Sequence, residues 1–96
     1  MKTLVVTEFW VHEQCYYVEC ERKGGRRRPS FKSCYGPFED LTAAEKQVTK
    51  MEHNLRQTGW WKPRIPVRES IITFRRDQVD VDIHIEEKEV SRTRVE

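Results

Sequence analysis

The stretch Val79-Asp80-Val81-Asp82-Ile83-His84-Ile85-Glu86 alternates apolar and polar side chains without a break. A period of two is the signature of a strand with one face on a core and the other toward solvent. Val79, Val81, Ile83 and Ile85 are therefore expected inward, and Asp80, Asp82, His84 and Glu86 toward water. Such a strand belongs to an antiparallel sheet, whose other strands must come from the flanking sequence. Upstream, Asp77-Gln78 reads as a turn and residues 67–76 (VRESIITFRR) as a strand leading into it. Downstream, residues 88–96 lose the pattern, so the domain is expected to span 1–90, with 91–96 a frayed tail.

Farther upstream, residues 3–12 (TLVVTEFWVH) are rich in β-branched and aromatic types, and 15–23 (CYYVECERK) alternate again. Glu13-Gln14 reads as the link of a hairpin between them. Gly24-Gly25 is the strongest turn signal, because paired glycines accept the positive φ of a tight hairpin. Residues 26–35 (RRRPSFKSCY) form the next strand, placed at an edge by Pro29, which lacks an amide proton for the ladder. Gly36-Pro37 ends that strand.

Thr42-Ala43-Ala44-Glu45 fits a capping box, and Ala44, Val48, Met51 and Leu55 then recur at helical spacing. Gly59 suits the residue just past the helix end, giving one helix over about 42–58. Trp60-Trp61-Lys62-Pro63-Arg64-Ile65-Pro66 follows as a stiff, extended connector. The expected architecture is α+β: an antiparallel sheet of about five strands, in the order βββ-α-ββ, with one amphipathic helix packed on one face.

Ninety-six residues suffice for one core. Apolar residues make up 36% of the chain and charged residues 35%, polar for a globular protein but too apolar for a disordered one. The formal charge of +2 balances 18 basic against 16 acidic side chains, so electrostatic recognition must be local. The start MKTLVV is too short an apolar run for a signal peptide, and no stretch reaches bilayer length, so the protein is expected in the cytoplasm with no membrane partner. Cys15, Cys20 and Cys34 then read as reduced thiols.

Several chemistries are testable from residue types and spacing. His12, Cys15, Cys20 and Cys34 are enough ligands for zinc, yet they contain no CxxC pair, and Cys15 and Cys20 differ in strand parity. His12 is the only local base for a Cys15 thiolate. No GxSxG, no phosphate-cradling GxxxxGK, and no Pro-Cys-x-x-Cys to complete His84-Ile85-Glu86 as a deaminase signature occurs. Asp80, Asp82, His84 and Glu86 stand roughly 6.5–7 Å apart along one strand face, where carboxylates can do acid–base work or hold a hard cation; a solvated strand face has the same pattern. No metal, cofactor or catalytic residue is expected.

Two surfaces remain for binding. Arg22-Lys23-Gly24-Gly25-Arg26-Arg27-Arg28, with Lys32 beyond, is the densest basic cluster, and Phe31 and Tyr35 offer stacking surfaces for RNA or DNA. Trp60 and Trp61, beside Lys62 and Arg64, have the composition of protein interfaces. Adjacent side chains on an extended segment point oppositely, so one indole is expected on the core and the other in solvent.

The succession of hairpin, Gly36-Pro37-Phe38 turn, capped helix and closing strands over residues 3–86 resembles small proteins of phages and mobile elements, among them anti-CRISPR inhibitors. That resemblance is one of layout and implies a function without assigning residues. It implies a non-enzymatic inhibitor or adaptor that occupies a host protein or protein–nucleic-acid complex; the residue types, not the resemblance, assign the contacts to Arg26, Arg27, Arg28 and Lys32 together with Trp60, Trp61, Lys62 and Arg64. The alternative is a nucleic-acid-binding module centred on residues 22–35. An enzyme with a noncanonical Cys/His site comes third.

Overall fold

The computed structural model describes residues 2–19, 26–65 and 70–94. Its architecture is α+β, a five-stranded antiparallel sheet with one helix on one face. The strands are β1 (Lys2–Glu19), β2 (Arg26–Phe38), β3 (Lys62–Arg64), β4 (Ile72–Arg76) and β5 (Val79–Arg94), and α1 (Leu41–Thr58) lies between β2 and β3. Spatial order across the sheet is β2-β1-β5-β4-β3.

The strands are partitioned differently from the sequence expectation. Residues 3–12 and 15–19 are not two strands of a hairpin but one, because β5 pairs straight through the link, with Glu13 opposite Ile83 and Gln14 opposite Asp82. Glu13 looked like a turn residue because it is a carboxylate on the apolar face. It is half-buried there, and burial pushes its pKa up. Residues 20–25, with the Gly24-Gly25 turn and Arg22-Lys23, lie outside the described residues, as do 66–69. The connector after the helix contributes the short strand β3 at the far edge. Of the expected tail 91–96, residues 91–94 are strand, since β5 runs on to Arg94, with Thr93 opposite Thr3 and Arg94 opposite Lys2, and 95–96 lie outside the described residues. Backbone pairing over the start of β1 holds residues 91–94 in place, a long-range partner that local composition does not reveal.

β2 is an edge strand, as Pro29 requires, but it does not stop at Gly36-Pro37. It continues to Phe38 through a cis Gly36-Pro37 bond and a bulge that inserts one residue between Tyr35 and Phe38, opposite Val11 and Phe9. Gly36 sits at φ 138°, and a Cβ there would stand 3.0 Å from the Phe9 carbonyl oxygen and 3.1 Å from the Trp10 ring. Both the angle and the space favour glycine. A second bulge, between Lys32 and Pro29, is stitched by the Gln14 amide, which donates to the Cys15 and Phe31 carbonyls at 2.9 and 3.1 Å.

Helix α1 starts one residue before the capping-box reading. Asp40 is the N-cap, its Oδ1 accepting from the Ala43 amide at 2.8 Å, and the Thr42–Glu45 box does not cap it. Gly59 ends the helix in the left-handed region at φ 72°, its amide donating to the Arg56 carbonyl. The stripe Ala44, Val48 and Met51 is buried against Val11, Val81 and Ile83, with Phe9, Phe38, Leu55, Trp61, Ile72 and Ile85 around them. Phe74 is wholly buried beneath the Arg56 guanidinium, 5.3 Å from its ring centre. No helix among the described residues is long and apolar enough to cross a membrane.

Length decides the shape. Eighteen strand residues at about 3.3 Å each reach about 60 Å, matching the long axis of 60 × 28 × 21 Å. Eighteen helical residues reach only about 27 Å, so α1 covers the middle of the sheet and leaves the start of β1 bare. Because Asp40 caps the helix, Asp40→Ala should lower stability by about 1 kcal/mol, while Thr42→Ala should leave the urea midpoint nearly unchanged. Equal losses for the two variants would return the cap to Thr42.

Candidate functional site: the polar sheet face and the two edges

The face opposite α1 carries the even-numbered residues of β1 and β5, and no second layer covers it among the described residues. Asp80 and Asp82 lie on it, yet they are not the solvated row expected from alternation: they are only 4% and 5% exposed. Two arginines from neighbouring strands close over them. Arg27, reaching from β2, places Nη2 2.6 Å from Asp82 Oδ1 and Nε 3.4 Å from Asp80 Oδ2, the latter an ion pair outside hydrogen-bond geometry. Its guanidinium lies 4.1 Å over the Tyr16 ring. From β4, Arg75 grips Asp80 with two donors at 2.6 and 3.2 Å, and the Thr73 hydroxyl donates to Asp82 at 2.9 Å.

Strand parity finds the face of a carboxylate but not the cation that reaches it from another strand. Half of this network was nonetheless readable. Arg75 and Asp80 flank the two-residue Asp77-Gln78 turn, which makes them direct cross-strand partners. Arg27 was invisible in this role because 55 residues separate it from Asp82. With their oxygens engaged by guanidinium groups and shielded from water, the two aspartates are structural anchors.

Beyond them on the same face, the His84 ring stacks on His12, with centroids 5.0 Å apart and planes 18° from parallel. His12 Nε2 lies 3.0 Å from Glu86 Oε1, and this hydrogen bond is the main cause that holds the Glu86 carboxyl below its usual range. Nδ1 of His12 is buried without a partner. Burial first, then the His12 and Lys32 charges, push the His84 pKa down against the opposing pull of Glu86 and Asp82. Cys34 stands opposite His12 in the β1–β2 register, whereas Cys15 projects to the helix face and packs on the core. There burial and Glu13 push its thiol pKa up. The sequence pairing of His12 with Cys15 is thus split between the two faces, and Cys20 lies outside the described residues. No group of three or more His, Cys, Asp or Glu among the described residues is placed to hold a metal ion.

The predicted binding residues fall at opposite edges of the sheet. At the β2 edge, Arg26 and Lys32 are exposed, Arg28 pairs with Glu19 at 3.0 Å in solvent, and Arg27 is turned inward onto the aspartates. Phe31 on β2 and Tyr17 on β1 are also exposed. At the β3 edge, Trp60 is 62% exposed with the Arg76 guanidinium 4.3 Å over its ring, while Trp61 packs against the core. Lys62 and Arg64 are exposed on β3, and Ile65 beside them is 94% exposed. Four strand intervals of about 4.8 Å put about 19 Å between the edges. No protein family, curated protein or solved structure matches this chain.

Two predictions follow from the polar face. Arg27→Ala strips a buried carboxylate of its cation and should cost about 3 kcal/mol, against no more than about 0.5 kcal/mol for Arg28→Ala. Pairing Arg27→Ala with Asp82→Ala should cost less than the sum of the two single changes; additive losses in chemical denaturation would rule out the coupling. For His84, the folded value lies below the ordinary 6.5, so between the two values the unfolded chain binds more protons. The His84 contribution is therefore complete above 6.5 and is lost as the pH falls toward the folded value. Thermal melts from about pH 7.5 to about pH 5 should fall more steeply for the parent than for His84→Gln, and parallel curves would refute this.

Proposed function

We propose that the chain is a non-enzymatic inhibitor or adaptor that works in the cytoplasm by occupying a surface of a host protein or protein–nucleic-acid complex, with Trp60 as its anchor. One observation carries this reading: a tryptophan ring mostly in solvent, held in place by Arg76 and flanked by Lys62, Arg64 and the bare Ile65. Indole and guanidinium groups dominate binding energy at interfaces, and a side chain already fixed before contact loses less entropy on binding. The non-enzymatic part is supported by the engagement of Asp80 and Asp82 in ion pairs and by the raised thiol pKa of Cys15. The likeness of layout to anti-CRISPR inhibitors makes a bacterial defence complex the first partner to try.

A second reading places RNA or DNA on the β2 edge, because Phe31 is 63% exposed beside exposed Lys32, with exposed Arg26 farther along the same strand. It has lost Arg27, whose charge is spent inside the fold. The 19 Å between the edges makes the two readings separable.

Affinity purification of the tagged protein from its host should recover one stoichiometric partner. Trp60→Ala should weaken that complex by more than 2 kcal/mol, about thirtyfold or more, without shifting the melting temperature, whereas Trp61→Ala should lower the melting temperature. Full binding by Trp60→Ala removes the β3 edge from the proposal. For the second reading, Phe31→Ala with Lys32→Ala should reduce both affinity for single-stranded RNA or DNA and its salt slope. Absence of binding at low salt ends it.

A further inference from the structure

Among the described residues the sheet presents four open edges, and three are guarded against further pairing. β2 carries Pro29 with its arginines and lysine, and β3 is three residues long with Pro63 at its centre. β5 has no strand beside it past Ile83 among the described residues, but that stretch carries Glu86, Glu87, Lys88, Glu89 and Arg92. Prolines, short strands and charges are the usual devices that keep an edge from pairing. The fourth edge is β1 over residues 2–8, before β2 joins at Phe9. Its five central residues, Thr3-Leu4-Val5-Val6-Thr7, carry neither charge nor proline, and Leu4, Val5 and Val6 are exposed, Val5 by 65%.

We propose that this edge pairs with the same edge of a second copy of the chain, antiparallel, about a two-fold axis at Val5. The sequence is self-complementary in that register. Val5 meets Val5, Leu4 meets Val6 and Thr3 meets Thr7, and at each end position 2 falls opposite Glu8, whose carboxylate Arg92 already engages at 2.6 Å, so the register sets no like charges face to face. Positions paired this way share parity, so Leu4 and Val6 of both copies meet on one sheet face, joining Val90, which is opposite Val6 on β5. The stretch consumed is the seven residues that β2 leaves unpaired. At its end lies a groove of about 310 Å³ lined by Val6–Glu8, Pro37–Glu39 and Arg92. Pairing turns a two-stranded arm, marginal by itself in water, into four strands. The interface is small, which makes the dimer weak and dependent on concentration. This inference does not rest on the Trp60 reading, which concerns the opposite edge of the sheet.

Sedimentation equilibrium of the full chain, from submicromolar to high-micromolar concentration, should show a reversible monomer–dimer equilibrium. Val5→Lys and Val5→Asp each place like charges at the two-fold axis and should weaken dimerisation by roughly tenfold or more. Circular dichroism should show both variants folded, since Val5 lies outside the core. Mixed one to one, they place Lys opposite Asp and should form a heterodimer. A parent that stays monomeric throughout overturns the proposal. So does a parent dimer that either variant leaves intact, which would belong to another edge, and so does a mixture of the two variants that stays monomeric.

Discussion

One helix serves a sheet with two faces, and it is less than half as long as the strand it lies on. The rest of the molecule is a response to that shortage of cover. Where α1 reaches, valine, isoleucine and methionine side chains make an ordinary core. On the reverse face no helix among the described residues buries apolar groups, and the sheet closes itself by laying arginines over aspartates. Burying a carboxylate is unfavourable unless its charge is matched and its oxygens find donors. Asp80 and Asp82 meet both conditions only because β2 and β4 each contribute a guanidinium from either side of the β1–β5 pair.

This lattice also changes the meaning of the basic cluster. Counted in sequence, Arg26, Arg27 and Arg28 look like one electrostatic patch. In the fold they do three different things: Arg26 faces solvent, Arg27 is a structural cation stacked on Tyr16, and Arg28 pairs with Glu19 at the surface. The net field that a nucleic acid would meet at this edge is correspondingly smaller, which is why exposed Trp60 carries more weight at the opposite edge.

Local pattern revealed the elements whose causes are local. The helical stripe, the glycine at its end, the alternation of residues 79–86 and the edge position set by Pro29 all follow from periods and backbone restrictions confined to a few residues. The opposed directions of Trp60 and Trp61 were readable for the same reason. What stayed hidden depended on distant partners. Glu13 sits in a continuous strand because β5 passes beside it, and residues 91–94 are ordered by the start of β1. Asp82 is buried because Arg27 arrives from 55 positions away. Parity did hold one unused clue. The inward set Phe9, Val11 and Cys15 stays in phase across Glu13-Gln14, as it would not need to across a hairpin.

The partnership of β1 with β5 also governs how the chain reaches this state. Lys2 lies opposite Arg94 and Tyr17 opposite Val79, so the central pair of the sheet joins segments separated by 62 to 92 positions. Closing loops of that size must precede the reward of pairing, and folds dominated by such contacts form slowly. Helix α1, the β1–β2 pairing and the β4–β5 hairpin join segments close in sequence, but the start of β1, with its run of leucine and valine uncovered, must wait until β5 has been made. During synthesis the segment most in need of a neighbour is therefore the one that waits longest for it, a period in which a holding chaperone or a second nascent chain would find it accessible.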